Sequence, residues 1–455
     1  MKEIAAYYRE GFEKAIVKRK RFNGRRIGSE LKFPFVKENG CAVEREDVDS
    51  LWEYLGENGW KVITDPATGQ RTGAETPGAF NDTVARSETG HCLIEFSLAH
   101  AADLHEVQKS YNDLRTTLSA FSDTSRTFFL STGMHPLEKP GKHLMAKKSR
   151  NLFWDKMFGS NRIVPPEEGS DVHLFALSAA HQVHIDVDPE ESIKAVNVLN
   201  GFAGAQIALT ANSNIWQNGV ADRAQCLGEL FWDWWLGDER SRAGVPERRF
   251  ESLDDYADCI GNYSPVFVRR GDRVFGLPDY KTFKAYYNGD GIKRGIDTDG
   301  NEVDLTPENN DISLHNTFFW HDARISRYFT IENRLNDQQP YDEMIVIPAL
   351  TLGLIENLQE ALEYLSQFDW ETIKTMRDNA IHDGLDAAVN GSTVIDQCKN
   401  MIDIAKRGLT GRNLGEEKYL QPLVERLEKK YNPAVKAADL FKSGGLESLI
   451  HNARI

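Results

Sequence analysis

Acidic, imidazole and guanidinium side chains concentrate in a few short segments of this sequence, and their types suit the binding of cations and anions. The segment 87–97 reads Ser-Glu-Thr-Gly-His-Cys-Leu-Ile-Glu-Phe-Ser. As a strand it would place His91 and Glu95 on one reactive face, because side chains alternate. Glu88 lies at an odd offset from Glu95, and Gly90 can form the turn or bulge that brings both carboxylates together. Converging carboxylates indicate a hard cation, although a solvated edge strand has the same composition.

Three further segments, 27–36, 181–187 and 324–334, also alternate and predict strands with one polar face. Their polar positions are Glu30, Gln182, His184, Arg324, Tyr328, Glu332 and Arg334. Arginine and glutamate two residues apart beside a tyrosine suit a pocket wall for a carboxylate or phosphate with a metal, although an exposed strand face shows the same pattern.

A sheet with helices on its apolar side would gather these polar residues in one basin. Carboxylates that share a basin repel one another and raise one another's pKa. Divalent cations would relieve this repulsion, and Mg2+ would bring nucleotide phosphates with it. The sequence has no Walker A motif, no dinucleotide-binding glycine fingerprint and no HExxH motif, so the corresponding ATPase, dehydrogenase and protease classes are excluded.

Composition narrows the class of protein further. The chain has 455 residues, a formal net charge of -15 and five cysteines without CxxC spacing. The negative charge argues against nucleic acid or an anionic membrane as the main partner, and the cysteine pattern argues against structural zinc or a disulfide framework. The amphipathic N-terminus and the lack of long apolar runs predict a cytoplasmic protein.

The order of predicted elements favours an α+β fold. Long helical segments separate the strands without a regular βαβ rhythm, which predicts one antiparallel sheet covered by helices. We expect a single catalytic domain over residues 1–455, with a helical C-terminal part from about residue 344.

Seven short motifs follow one another along the chain. They are Arg-Ile-Gly-Ser-Glu at 26–30, the segment 87–97, Gln-Val-His-Ile-Asp at 182–186, Ala-Asn-Ser at 211–213, Asp-Ala-Arg-Ile-Ser-Arg-Tyr at 322–328, Glu-x-Arg at 332–334 and Ile-Pro-Ala-Leu-x-x-Gly-Leu at 347–354. In this order and spacing the chain resembles the glutamate-cysteine ligase family of the plant and proteobacterial type. The resemblance continues through 383–385 and 405–409, so it spans nearly the whole chain.

The resemblance implies an antiparallel sheet curled into a funnel, related to the glutamine synthetase fold, that holds Mg2+ and ATP. It implies phosphorylation of the γ-carboxylate of L-glutamate by ATP, followed by attack of an amine such as L-cysteine on the acyl phosphate. A carboxylate is a poor electrophile, and the phosphoryl group supplies the leaving group that amide formation needs.

The resemblance also implies roles for individual residues. The acids that match metal ligands are Glu30, Glu88, Glu95 and Glu332, and Arg334 matches an arginine that neutralises phosphate charge. Gln182 and His184 match a floor strand that contacts phosphate or metal, and Arg150 falls with Lys148 near a basic Lys-x-Arg of the middle loop. We therefore expect catalytic roles for Arg334, Lys32 and Glu95, and cofactor contacts from Gln182, His184, Arg324, Tyr328 and Arg150.

Three departures from the family pattern leave alternatives open. The family has Glu-x-Glu where this chain has Glu30-Leu31-Lys32, so an ammonium replaces a carboxylate, and fewer metals or a changed first half-reaction would follow. An imidazole, His91, stands in the turn after Glu88. The arginine expected before Trp232 has only Arg223 as its nearest counterpart.

The alternatives are a different amine acceptor, an altered donor, and a catalytically silent relative that binds a nucleotide or amino acid. An ATP:guanidino phosphotransferase shares a related sheet but should lack the ordered motifs. Small molecules are the expected ligands, without nucleic acid or membrane, and the expected state is a monomer or homodimer.

Overall fold

The computed structural model describes residues 2–19, 24–66, 68–78, 82–148, 151, 159–222, 224–271, 273–288 and 291–455. Arg150 and Arg223, for which roles are predicted above, lie outside these ranges.

The described residues form helices throughout the chain. They are α1 Lys2–Arg19, α2 Arg45–Glu57, α3 Leu104–Ser125, α4 Pro189–Gly201, α5 Ala203–Thr210, α6 Leu227–Leu236, α7 Leu253–Asn262, α8 Phe283–Tyr287, α9 Asn309–Asn316, α10 Val346–Glu356, α11 Leu358–Leu365, α12 Trp370–Asp383, α13 Val394–Gly411, α14 Gln421–Lys429 and α15 Pro433–Ala453.

The strands are short and mostly antiparallel. They are β1 Ile27–Lys37, β2 Lys61–Thr64, β3 Arg71–Glu75, β4 Val84–Ser87, β5 Leu93–Ser97, β6 Thr127–Phe129, β7 His181–Asp186, β8 Ile215–Trp216, β9 Gly219–Val220, β10 Ala243–Gly244, β11 Phe267–Arg270, β12 Arg273–Gly276, β13 Lys293–Ile296, β14 Glu302–Leu305, β15 Trp320–His321, β16 Ala323–Ile325, β17 Thr330–Asn333, β18 Ala388–Val389 and β19 Ser392–Thr393.

One nine-stranded sheet organises the molecule. Its order is β16-β17-β7-β1-β5-β4-β3-β2, and β6 pairs with the far end of β1. All its pairings are antiparallel. The predicted α+β class, with an antiparallel sheet and a helical C-terminal region, is confirmed.

The alternation predicted for β1 and β7 separates a packed face from a polar one. Leu31, Phe33, Val183 and Ile185 are fully buried, and the apolar helix α10 packs on this side of β1 and β7. No single helix in the described ranges is long and apolar enough to cross a membrane. The apolar pair 341–356 and 358–365 is bent by 87°.

Two predicted strands are wrong as continuous elements, because each is interrupted by a turn. The segment 88–97 is a strand only from Leu93, and residues 88–92 connect β4 to β5. The segment 324–334 is the hairpin of β16 and β17, in which Phe329 adopts a left-handed backbone with φ of 58°. Counting by twos across such a turn does not follow one face, since the chain reverses there.

The ring of Phe329 holds this hairpin turn against the N-terminal helix. It contacts the rings of Tyr7 and Phe12 at centroid distances of 5.5 and 5.7 Å. A Cβ at Gly11 would lie 1.9 Å from the Phe329 ring, so glycine is required there by the close approach. Helix α1 therefore supports one edge of the sheet.

Buried arginine joins the C-terminal helices to the rest of the molecule. Arg426 of α14 is fully buried, and its Nη1 donates to Leu209 O at 2.9 Å and to Gln339 Oε1 at 2.7 Å. Its Nε donates to Glu343 Oε2 at 3.1 Å. The guanidinium thus satisfies groups from α5 and from the segment before α10.

Arg426→Met should lower the free energy of unfolding by about 3 kcal/mol, because it leaves a carboxylate, an amide and a carbonyl without their donor. Urea unfolding measures the change. Arg407→Met is the matched control, since the Arg407 pair with Glu360 is exposed and should contribute less than about 0.5 kcal/mol. Equal small effects of both substitutions would contradict the structural role of Arg426.

Candidate functional site

A cavity of about 610 Å3 opens on the polar face of the sheet. Every described residue among the predicted site residues lines it: Glu30, Lys32, Glu88, Glu95, Gln182, His184, Arg324, Tyr328, Glu332 and Arg334. The register explains this convergence, because Glu30 pairs with Gln182, Lys32 with Glu95, and Glu332 with both His184 and Arg324 on its two neighbours.

Glu332 is clamped between two guanidinium groups. Arg324 Nε donates to Glu332 Oε2 at 2.8 Å, and Arg334 Nη1 donates to Glu332 Oε1. Glu332 is buried. Burial alone would raise the pKa of this carboxyl, but Arg324 and Arg334 outweigh burial and hold the pKa well below its usual range. Glu332 is therefore a carboxylate at any physiological pH.

The two arginines differ in their remaining contacts. Arg324 Nη1 also donates to the carbonyl oxygens of Phe319 and Asn316, the latter at 3.3 Å, so backbone oxygens hold this guanidinium in place. Arg334 Nη1 contacts Gln182 Oε1 at 3.4 Å, and among the described residues nothing bonds its buried Nε. Within the part of the chain that the structure describes, Arg334 is thus held by fewer hydrogen bonds than Arg324.

Glu30, His184 and Glu332 form a candidate metal site. Each offers one ligand atom, and these atoms lie within 4.8 Å of one another. His184 Nδ1 bonds the hydroxyl of Thr330 at 2.9 Å, which leaves Nε2 directed at Glu30 Oε1, 3.4 Å away. Burial would lower the pKa of His184, but Glu30 and Glu332 outweigh it and raise the pKa.

Lys32 occupies the space between the other two acids. Its Nζ lies 3.0 Å from Glu88 Oε1 and 3.3 Å from Glu95 Oε2. Burial would lower the pKa of Lys32, but the two carboxylates raise it above its ordinary value. A permanent ammonium therefore neutralises the pair of acids for which metal binding is predicted.

The turn that places Glu88 at the cavity has room only for a glycine at position 90. A Cβ at Gly90 would lie 2.4 Å from the carbonyl oxygen of Ala176. The predicted turn is present, and Gly90 forms it without a positive φ. The prediction of a reactive His91 is wrong: its Nδ1 and Nε2 contact the carbonyl oxygens of Leu144 at 2.9 Å and Val43 at 3.0 Å.

Tyr328 stands at the mouth of the cavity. It lies in the β16–β17 turn, is 57% exposed, and its ring centroid is 6.2 Å from that of His184. The neighbouring Arg327 covers the ring at 4.7 Å. Tyr328 can therefore contact a ligand at the rim but not at the floor.

The cavity lining also contains acidic groups that the strand pattern did not reveal. Arg377 joins two buried acids, with its Nε 2.7 Å from Asp322 Oδ2 and its Nη2 bonded to Glu229. Burial, reinforced by Asp322, raises the pKa of Glu229 well above its ordinary value. Asp337 lines the same cavity. These acids lie on a helix and in connections, where alternation gives no signal.

An aromatic wall adjoins these acids. Trp232 lies 4.2 Å from Phe175 and 5.3 Å from Trp320, measured between ring centroids, and all three line the cavity. Of the tryptophans of α6, Trp235 is buried with 1% exposure, whereas Trp232 is only partly buried and contributes to the cavity wall.

Comparison with known proteins identifies the family to which the chain belongs. The model of glutamate-cysteine ligase family 2 matches residues 45–451. The chain is 26% identical over 363 residues to the chloroplastic glutamate-cysteine ligase of Solanum lycopersicum, covering 76% of this chain and 64% of that protein. It is 24% identical over 368 residues to the chloroplastic enzyme of Medicago truncatula, covering 78% and 68%. The chain thus spans about two thirds of the length of these curated relatives.

A solved structure supports the fold. The glutamate-cysteine ligase of Francisella tularensis in complex with AMP superposes with a TM-score of 0.54 at 11% identity, covering 94% of this chain and 87% of that one. The expected glutamine synthetase-like fold is confirmed. Glu30 and Lys32 precede the residues matched by the family model.

The geometry predicts where a divalent cation binds. His184→Ala or Glu332→Gln should weaken Mn2+ binding at least about tenfold, because each removes a ligand of the three-residue site. Glu88→Gln is the matched control and should change Mn2+ affinity little, since Lys32 already neutralises Glu88. Calorimetric titration with Mn2+ measures all three. If Glu88→Gln alone abolished Mn2+ binding, the cation site would lie beside Lys32, Glu88 and Glu95 instead.

Proposed function

Because the chain belongs to glutamate-cysteine ligase family 2, we propose that it is an ATP-dependent carboxylate-amine ligase that forms a γ-glutamyl amide. The default substrates are L-glutamate and L-cysteine, and the intermediate is γ-glutamyl phosphate. The observation that carries the proposal is the clamp of Glu332 between Arg324 and Arg334 next to Glu30 and His184, since it combines cation ligands with an anion-binding guanidinium. A cytoplasmic location and a monomeric or dimeric state belong to the same proposal.

The residues of the clamp have complementary tasks in this reaction. Arg334, which lines the cavity, binds the phosphoryl oxygens through its guanidinium and stabilises the charge that develops during transfer. Arg324 fixes the orientation of Glu332, because backbone oxygens immobilise its guanidinium. Gln182 bonds Arg334 from the floor strand and keeps its guanidinium aimed at the cavity.

The donor set fits one divalent cation. Two carboxylates and an imidazole whose Nε2 faces Glu30 Oε1, 3.4 Å away, are suitable ligands for Mg2+ or Mn2+. A bound Mg2+ would supply charge neutralisation for the phosphates of ATP. Glu30 on β1, His184 on β7 and Glu332 on β17 would hold this ion from three neighbouring strands.

Charge balance assigns Lys32 to the second cation position. The carboxylates Glu88, Glu95 and Glu332 pair directly with the fixed cations Lys32, Arg324 and Arg334, and Glu30 faces His184. Further arginines, Arg86, Arg269 and Arg327, also line the cavity. One divalent ion is enough to make this part of the cavity positive and attractive to phosphate. Lys32 thus acts as a tethered cation, which supports fewer metals than four free carboxylates would require.

A second candidate follows from the same lysine. An ammonium that already fills the space between Glu88 and Glu95 is also consistent with a relative that binds ATP or an amino acid without turnover. The assay below distinguishes the two.

With ATP, Mg2+ and L-glutamate, we expect ADP release that depends on one member of a panel of primary amines, with a product of the matching γ-glutamyl mass. A coupled ADP assay with mass spectrometry measures both. Arg334→Met should reduce the rate at least about a hundredfold through lost stabilisation of the transferred phosphoryl group, whereas Arg327→Met at the rim should retain most of it. If ATP binds but no ADP is released with L-glutamate and any amine of the panel, the result would support a catalytically silent relative.

Lys32→Glu should add a second divalent cation per chain, because three carboxylates would then face one another without an ammonium. Mn2+ stoichiometry in the presence of a non-hydrolysable ATP analogue measures this, independently of turnover. Lys37→Glu is the control, since Lys37 lies on the same strand and pairs with the exposed Glu44. An unchanged stoichiometry in Lys32→Glu would contradict the tethered-cation role.

A further inference from the structure

Asp337 is a buried carboxylate of which, within the part of the chain that the structure describes, one oxygen accepts hydrogen bonds and the other does not. Its Oδ2 accepts from Asn212 N at 2.6 Å, from Ser213 Oγ at 2.7 Å and from Cys226 Sγ at 3.5 Å. Among the described residues no donor bonds its Oδ1, and none forms an ion pair with it. Asp337 is 4% exposed and lines the cavity. A buried acid without a cation is costly unless a ligand completes it.

Gly228, the second residue of α6, leaves this oxygen accessible. A Cβ there would lie 3.0 Å from Ser178 Oγ, 3.2 Å from Asp337 Oδ1 and 3.8 Å from Ser213 Oγ. Gly228 has no positive φ, so its backbone conformation does not require glycine, and a glycine in a helix costs about 1 kcal/mol relative to alanine. The missing side chain keeps a hydroxyl and a carboxylate oxygen open to the cavity.

The surroundings of Asp337 Oδ1 are acidic and aromatic. Glu229 and Asp322 share the guanidinium of Arg377, whereas Asp337 forms no ion pair with any described residue. Trp232 lies one turn after Gly228 and lines the same cavity. A carboxylate without a paired cation beside an aromatic ring favours an organic cation.

We propose that the nook formed by Asp337, Ser178 and Gly228 binds the amino group of the acceptor, a primary ammonium whose apolar body lies against Trp232, and that Asp337 is the base that deprotonates it. This inference rests on the proposed function. It assigns different residues of one cavity to the two half-reactions: Arg334 to phosphoryl transfer and Asp337 to amine attack.

The proton balance of amide formation requires such a base. An ammonium has no lone pair, so one proton passes to Asp337 Oδ1 and leaves the free amine. The amine nitrogen then attacks the acyl carbon, the C–N bond forms, and the bond from that carbon to the phosphate oxygen breaks. The bonding electron pair leaves with phosphate, which also takes the second proton of the nitrogen.

The pKa of Asp337 suits this task. Burial raises the pKa of Asp337 to about 7, against hydrogen bonds from Asn212, Ser213 and Cys226 that lower it. The neighbouring Cys226 and Glu229 do not compete with Asp337 for the proton. Burial raises the pKa of the Cys226 thiol and that of the Glu229 carboxyl well above their ordinary values, so both groups stay protonated at the working pH. A base works best with a pKa near the working pH.

Hydroxylamine provides a test that separates the two half-reactions. It is uncharged at neutral pH and needs no base, so it traps the acyl phosphate as a hydroxamate. Asp337→Asn should reduce turnover with the best primary amine of the panel at least about a hundredfold and should retain hydroxamate formation within a few fold. For the wild-type protein kcat/KM with the amine should rise through pH 7, and with hydroxylamine it should not.

Two milder variants test the nook itself. Gly228→Ala should raise KM for the primary amine and leave KM for hydroxylamine nearly unchanged, and Ser178→Ala should act in the same direction with a smaller effect. Thermal unfolding of each variant reports whether the fold is retained.

Each outcome has one meaning. Equal loss of amide and hydroxamate in a folded Asp337→Asn variant overturns the assignment, and so does unchanged amide formation. Hydroxamate from the wild-type protein without an amide from any primary amine also overturns it, while carboxylate activation stands. Absence of hydroxamate counts against the proposed function instead.

Discussion

Repulsion among carboxylates on one face of an antiparallel sheet is the constraint on which this structure depends. The register of β17, β7, β1 and β5 brings Glu332, Glu30 and Glu95 onto that face, and Glu88 reaches it from the following turn. Cationic side chains that pair with the carboxylates offset this repulsion. Lys32 separates one pair of acids, and two arginines enclose Glu332. Glu30 instead faces the imidazole of His184, 3.4 Å away, and this is where a divalent ion would relieve the repulsion with Glu332.

The parts of the site that lie on regular strands could be predicted from the sequence. Alternation in β1 and β7 identifies Glu30, Gln182 and His184, because a residue's face follows from its position in a strand. The interrupted strands were predicted less well, since no pattern reveals that Phe329 takes a left-handed backbone and reverses the chain. His91 resembles a ligand in sequence, but two backbone carbonyls, both distant along the chain, determine its role.

The acids Glu229, Asp322 and Asp337 had no comparable signal. Glu229 lies on a helix, while Asp322 and Asp337 lie in connections, and only tertiary packing brings them to one cavity. Gly228 could not be identified from the sequence either, because its importance lies in the oxygens that a methyl group would cover. The strand motifs that carry the family resemblance therefore identify the cavity residues on strands better than those on helices and connections.

The central place of β1 in the sheet bears on how the chain is synthesised and folded. This strand is synthesised before its neighbour β7, which follows about 150 residues later, and before the β16–β17 hairpin, which follows later still. Pairings so distant in sequence close slowly. Until then β1 exposes an unpaired edge next to apolar residues such as Leu31 and Phe33, the kind of segment that aggregates or recruits chaperones. The strand that carries Glu30 and Lys32 is thus also the one most in need of protection during biosynthesis.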